Sequence, residues 1–164
     1  MLARCAVPEH PSLMPIAPTQ AQGLLVYYAS PALAMVLLTF SVAGALGALR
    51  LLGIRSGRYP MRYFKLMQRP NDANFPPRAE AASRNLINLF EVPVLFYALV
   101  PLLIASGERD AVALGCLWAF VALRALHSAI HLTINDLVAR FGAFALSCCA
   151  LAGAWLTLAL RIWT

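Results

Sequence analysis

The chain has 164 residues, 61% of them hydrophobic and 12% charged, with a mean hydropathy of +0.72. Soluble domains carry roughly 25% charged residues, so a single water-soluble domain is excluded and lipid is the solvent that suits this composition. The net charge of +6 is concentrated in one link between apolar runs, a distribution that argues against nucleic-acid binding and for orientation in a membrane.

The first 23 residues hold Pro8, Pro11, Pro15 and Pro18 and lack a basic-then-apolar leader pattern. They read as a disordered N-terminal tail or an upstream extension. A helix needs roughly 20 apolar residues, about 30 Å at 1.5 Å per residue, to cross the hydrocarbon. Four runs satisfy this, at about 24–49, 86–105, 111–135 and 141–160.

The first span carries no charge before Arg50. The link after it holds Arg50, Arg55, Arg58, Arg62, Lys65, Arg69 and Arg78, with Arg84 at its far edge, against only Asp72 and Glu80. Tyr59, Tyr63 and Phe64 suit an interfacial segment lying on the bilayer. The second span contains Asn88 and Glu91 and is expected to kink around Pro93 and Pro101. The links at 106–110 and 136–140 are short, so the helices they join are antiparallel neighbours. The third span carries Arg124, His127 and His131, and the fourth is free of charge.

The link between spans two and three offers Arg109 alone, beside Glu108 and Asp110. The positive-inside rule therefore places the long basic link and the 136–140 link in the cytoplasm and both termini outside. Small residues four apart, at Ala43/Gly47, Gly44/Ala48 and Ala145/Cys149/Gly153, allow close helix contact in lipid. Cys5, Cys116, Cys148 and Cys149 show no paired spacing of the zinc or redox type, and no disulfide is expected.

Charge within a span costs about 2.5–3.5 kcal/mol per residue even on a lenient insertion scale. Arg84, Asn88 and Glu91 fall at i, i+4 and i+7, one helical face; Arg124, His127, His131 and Asn135 form a second stripe at i, i+3, i+7 and i+11. Rise per residue puts Glu91 and Arg124 at similar depth in antiparallel helices. The expectation is a Glu91–Arg124 pair inside one polar pocket that opens to the cytoplasm. An ion pair that only fixes register accounts for two groups, whereas at least six polar groups are present. His127 and His131 with Glu91 form a candidate metal set, but Arg84 and Arg124 would repel a cation. Convergent arginines with an asparagine and histidines better suit an anion bearing carboxylates.

The run Arg84-Asn-Leu-Ile-Asn88-Leu-Phe-Glu91-Val-Pro93, the segment Arg124-Ala-Leu-His127-Ser-Ala-Ile-His131 and Arg140 at the start of the fourth span together resemble the MAPEG family, the membrane-associated proteins in eicosanoid and glutathione metabolism. The likeness runs from about Leu24 to the end and is to bacterial members. It implies an all-α, integral membrane four-helix bundle forming a homotrimer in the inner membrane, in contact with lipid. It also implies glutathione as co-substrate near the cytoplasmic face, between subunits, with a hydrophobic small-molecule substrate arriving from the bilayer. On that likeness Arg84, Asn88, Glu91, His127 and His131 bind glutathione, and Arg140 and Arg124 supply the catalytic positive charge. His127 and His131 stand where many active members have tyrosines. Two functions follow: a glutathione-dependent transferase or peroxidase acting on lipophilic electrophiles, or a non-catalytic lipid-binding or scaffold protein of the same fold.

Overall fold

A computed structural model describes residues 18–57 and 77–163. The expected tail before residue 18 and the segment around Tyr59, Tyr63 and Phe64 lie outside the described residues. Helix α1 spans Pro18–Arg55, and its 38 residues reach roughly 57 Å, well beyond the hydrocarbon thickness. It takes in residues 18–23, which the sequence reading assigns to the tail, and runs past Arg50, because charge marks the edge of the hydrocarbon and does not stop a helix. Thr39 and Ser41 return their hydroxyls to the carbonyls of Met35 and Leu37, at 2.9 and 2.7 Å, so neither brings an unpaired donor into the span. Gly57, with φ of 69°, follows the helix in the left-handed conformation that lets its N–H close on the carbonyl of Ile54.

The second crossing is two helices end to end, α2 (Pro77–Glu91) and α3 (Pro93–Ala105). Proline has no N–H and its ring crowds the preceding turn, so the helix breaks at Val92 before Pro93 and restarts with the Leu95 N–H on the carbonyl of Val92. Pro101 sits inside α3 without ending it. Helix α4 (Ala111–Leu132) is capped by Asp110, whose carboxylate accepts from the N–H groups of Val112 and Ala113, both at 2.9 Å. Helix α5 (Leu137–Trp163) begins under Asp136, which accepts from the Ala139 N–H at 2.8 Å.

Among the described residues four stretches are long and apolar enough to span a bilayer: Thr19–Arg55, Arg78–Ala105, Ala111–Leu132 and Leu137–Trp163. Helices α4 and α5 form the most extensive packed pair, and α1 lies across α2, α3 and α4. Tyr28, Met35, Phe96, Leu99, Leu117 and Phe120 are fully buried between them, and the rings of Phe96 and Phe120 stack with centroids 5.0 Å apart. Small residues permit close approach of α4 and α5, where a Cβ on Gly153 of α5 would meet the Cys116 sulfur of α4 at 3.2 Å. Outward positions such as Leu37, Phe40, Phe90 and Leu146 are large and apolar, as lipid contact requires.

The α3–α4 link is tied to both chain-terminal helices. Tyr28 of α1 donates to the Glu108 carbonyl at 3.1 Å and accepts from the Asp110 N–H at 2.8 Å. Arg161, near the end of α5, bonds Asp110 at 3.2 Å and lies 3.6 Å from Glu108. Arg109 stands over the Tyr27 ring at 5.4 Å. The opposite end holds the close of α1, the start of α2 and the α4–α5 turn.

Candidate functional site

At that opposite end α4 turns four polar residues toward the bundle interior. Arg124, His127, Ser128 and His131 fall at i, i+3, i+4 and i+7, and the structure buries all of them, Arg124 at 0% exposure. The guanidinium lies against the Phe144 ring of α5, 5.4 Å from its centroid, and its Nη2 donates to the main-chain carbonyl of Asn88 on α2. The His127 ring is 5.6 Å from that of His131 and 5.9 Å from Phe144.

The turn into α5 orders the next cation. Asn135 adopts φ of 51°, a left-handed conformation that asparagine tolerates better than most residues. Its side-chain carbonyl accepts from Arg140 Nη1 at 2.7 Å. The half-buried Arg140 is thereby held in the first turn of α5, where the helix dipole adds to its positive field. The Arg140 main-chain carbonyl lies 2.9 Å from His127 Nδ1. A carbonyl only accepts, so Nδ1 carries the proton and the neutral ring's lone pair is at Nε2.

The single pocket expected from the two stripes is not formed within one subunit. Arg84 is exposed, at 62% of its side chain, and lies 3.9 Å from Glu80; Glu91 is exposed and Asn88 half-buried. This stripe shares the outer face of α2 with exposed Ile87 and Phe90. The face turned inward carries Ala81, Ala82, Asn85 and Leu89, whose small leading residues let α2 approach its neighbours. The expected Glu91–Arg124 ion pair is likewise not made: among the described residues Arg124 pairs with no carboxylate, and Glu91 acts on it only through space. Register explains part of this. Arg124 meets Asn88 and Ser128 meets Asn85, so α4 contacts α2 most of a turn nearer its N-terminus than depth arithmetic places it.

Asn85, Ser128 and Ser147 are buried polar residues that the sequence reading passes over. Ser128 donates to Asn85 Oδ1 at 3.1 Å, joining α4 to α2, and Ser147 returns to the Phe144 carbonyl at 2.6 Å. One signal was available: Asn85 lies four residues before Leu89 and four after Ala81, on the small, apolar side of α2.

The site therefore has two polar surfaces, an interior face of Arg124, His127, His131 and Asn85, and an outward stripe of Arg84, Asn88 and Glu91, with Arg140 at the turn beside the interior face. The outward stripe offers guanidinium, amide and carboxylate, a set that matches the carboxylates, amides and ammonium group of a small peptide. The sequence model of the MAPEG family matches residues 28–160, which include both surfaces. No curated protein and no solved structure matches the chain.

Proposed function

The chain belongs to the MAPEG family, a membrane family tied to glutathione chemistry, and on that premise we propose that it is a glutathione-dependent transferase or peroxidase acting on lipophilic electrophiles. The observation that carries this reading is the Arg84–Asn88–Glu91 stripe, polar and outward among the exposed apolar side chains of a membrane-spanning helix. Facing lipid, Glu91 would carry a cost that rises toward about 2.5–3.5 kcal/mol at the bilayer centre, and Arg84, at the edge of the span, a smaller one. A second copy of the chain with a peptide held between the two removes that cost, and a closed ring of three such contacts is the assembly we propose. Arg84 then takes a glutathione carboxylate through its planar fork, Glu91 the ammonium group and Asn88 an amide.

Arg140 supplies the chemistry. A thiol with a pKa near 8.5 is only a few per cent ionised at neutral pH, and the thiolate is the nucleophile. A guanidinium beside the sulfur favours the charged form and keeps its own proton. The thiol proton passes to water, and the sulfur bonds to an electrophilic centre that enters from the bilayer as that centre's bond to its leaving group breaks, the leaving group taking up a proton from water. Titration calorimetry with the purified protein tests the binding step. Wild type binds glutathione, and Arg84→Leu or Glu91→Gln weakens binding at least about tenfold, the loss expected for one charge-assisted contact. A wild type that binds none removes the proposal.

One observation favours the non-catalytic scaffold. His127 and His131, at the positions of the family's tyrosines, are turned into the bundle, so neither ring lies on the outward stripe. On that reading glutathione or lipid binds without ionisation of a thiol. For orientation, the basic link is proposed to be cytoplasmic. Ser56→Cys is then shielded from an impermeant thiol reagent in intact cells, and its labelling there reverses the topology.

A further inference from the structure

Four fully or almost fully buried side chains at the interior face, Arg124, Asn85, His127 and His131, have hydrogen-bonding capacity that the described residues leave unmet. Arg124 uses Nη2 on the Asn88 carbonyl, while its Nε and Nη1 have no partner. Asn85, at 0% exposure, accepts from Ser128 through Oδ1, and its Nδ2 has no partner. His127 points Nδ1–H at the Arg140 carbonyl, leaving an unpartnered Nε2. Arg124 and Asn85 reach one α2–α4 interface one turn apart, because Arg124 bonds Asn88 and the next turn of α4, at Ser128, bonds Asn85. The unmet groups of Arg124 and Asn85 are all donors, and one of the two residues bears a full positive charge.

The surroundings answer that charge only through space, from Cys148 and Glu91, and offer the guanidinium no carboxylate within ion-pair distance. Arg140 adds positive field at His127, and Arg140 and Arg84 add it at His131 on the same face, while the Phe144 ring attracts the Arg124 guanidinium without accepting a hydrogen bond. Glu91 is exposed and makes no ion pair with Arg124. A water molecule satisfies two donors but leaves the charge uncompensated, which is costly in a low-dielectric interior. An ion that accepts from several N–H groups at once and carries one negative charge meets both needs. A dianion would exceed the single buried guanidinium, and a cation is repelled.

We propose that the interior between α2, α4 and α5 is a binding site for a small monovalent inorganic anion, seated on Arg124 Nε and Nη1 and Asn85 Nδ2 and separate from the outward stripe. The site is independent of the glutathione reading, since it needs neither a second subunit nor a peptide. Its role is to neutralise Arg124 and so hold α4 against the broken second span at the level of Asn85 and Asn88.

Chloride is the probe. The thermal midpoint of the purified, detergent-solubilised protein is followed as sodium chloride replaces sodium gluconate at constant ionic strength. Wild type shows a saturable rise. Asn85→Leu, which keeps the charge and removes one donor, raises the half-saturating chloride concentration about tenfold or more, and Arg124→Leu abolishes the dependence. Because Arg124→Leu also removes a helix contact, a second measurement uses the unaltered chain: crystals soaked in bromide show an anomalous peak within hydrogen-bonding distance of Arg124 Nε. A wild-type midpoint indifferent to chloride overturns the proposal, as does the absence of the bromide peak. Chloride dependence that appears only in Glu91→Gln also overturns it and makes Glu91 the counter-charge. Competitive displacement of the halide by glutathione overturns it as well, assigning the unpaired nitrogens to the peptide site.

Discussion

Where α3 turns into α4, the Tyr28 hydroxyl is engaged on both sides, Asp110 caps a helix while bonding Arg161, and Arg161 reaches Ser106 and Glu108 as well. At the other end of the bundle, Asn85, Arg124, His127 and His131 together leave five buried nitrogens without a partner among the described residues. Both ends are polar, and both lie on helices long and apolar enough to span a bilayer. The difference separates two uses of polarity. Groups that hold helices together close on one another, because an unmet donor in a dry interior is costly. Groups left open are the ones we propose meet a ligand, an ion or a second subunit. Damage to the first end should therefore appear in stability, and damage to the second in binding.

The largest stability effect is expected from Asp110→Ala. It removes the acceptor for two helix N–H groups and the partner of Arg161, a combined loss of about 2 kcal/mol, the cap contributing about half. Unfolding in detergent with increasing denaturant measures it, and a loss below about 0.5 kcal/mol would mean that this end is no latch. Tyr28→Phe takes away one hydroxyl and leaves the Asp110 N–H and Glu108 carbonyl without it, for about 1–2 kcal/mol in the same measurement. Glutathione affinity is unchanged by both substitutions.

At the open end the pattern reverses. Arg84→Gln and Glu91→Gln alter exposed side chains, so their stability changes stay within about 0.5 kcal/mol. The Glu91→Gln and Arg124→Leu effects on stability add, because no ion pair joins these residues; a coupling above about 1 kcal/mol would show that the pair forms after all. Loss of glutathione affinity without loss of stability in Arg84→Gln is the signature that separates this end from the other.

The spans were legible because apolar length is a strong signal: the hydrocarbon demands it, and the expected runs fall on α1, on α2 and α3 end to end, on α4 and on α5. Their ends were not. Helix α1 continues through Arg50 to Arg55, and α2 begins at Pro77, ahead of the apolar run at Leu86, because backbone hydrogen bonding extends beyond the lipid that composition reports. The break at Pro93 follows from proline's missing donor and was readable, whereas Pro101 is absorbed within α3. Periodicity identified Arg84, Asn88 and Glu91 as one face but carries no sign for inward or outward. Placing that face inside the subunit followed from the cost of charge in lipid, whereas the fold turns it outward, where the second copy we propose would cover it. Asn85 was hidden by adjacency: one position from Arg84 in sequence, it lies about 100° around the helix, on the opposite side of the packing boundary.

On the proposed function the open end binds and ionises a thiol, with Arg140 as the charge that does it. Thiolate absorbance of protein-bound glutathione, titrated against pH in wild type and in Arg140→Leu, tests this directly. The ionisation midpoint in wild type is expected at least one pH unit below that of free glutathione, with a return toward the free value in Arg140→Leu while binding through Arg84, Asn88 and Glu91 persists. The same midpoint in both proteins, with glutathione still bound, would contradict it and leave a scaffold that holds the peptide without activating it.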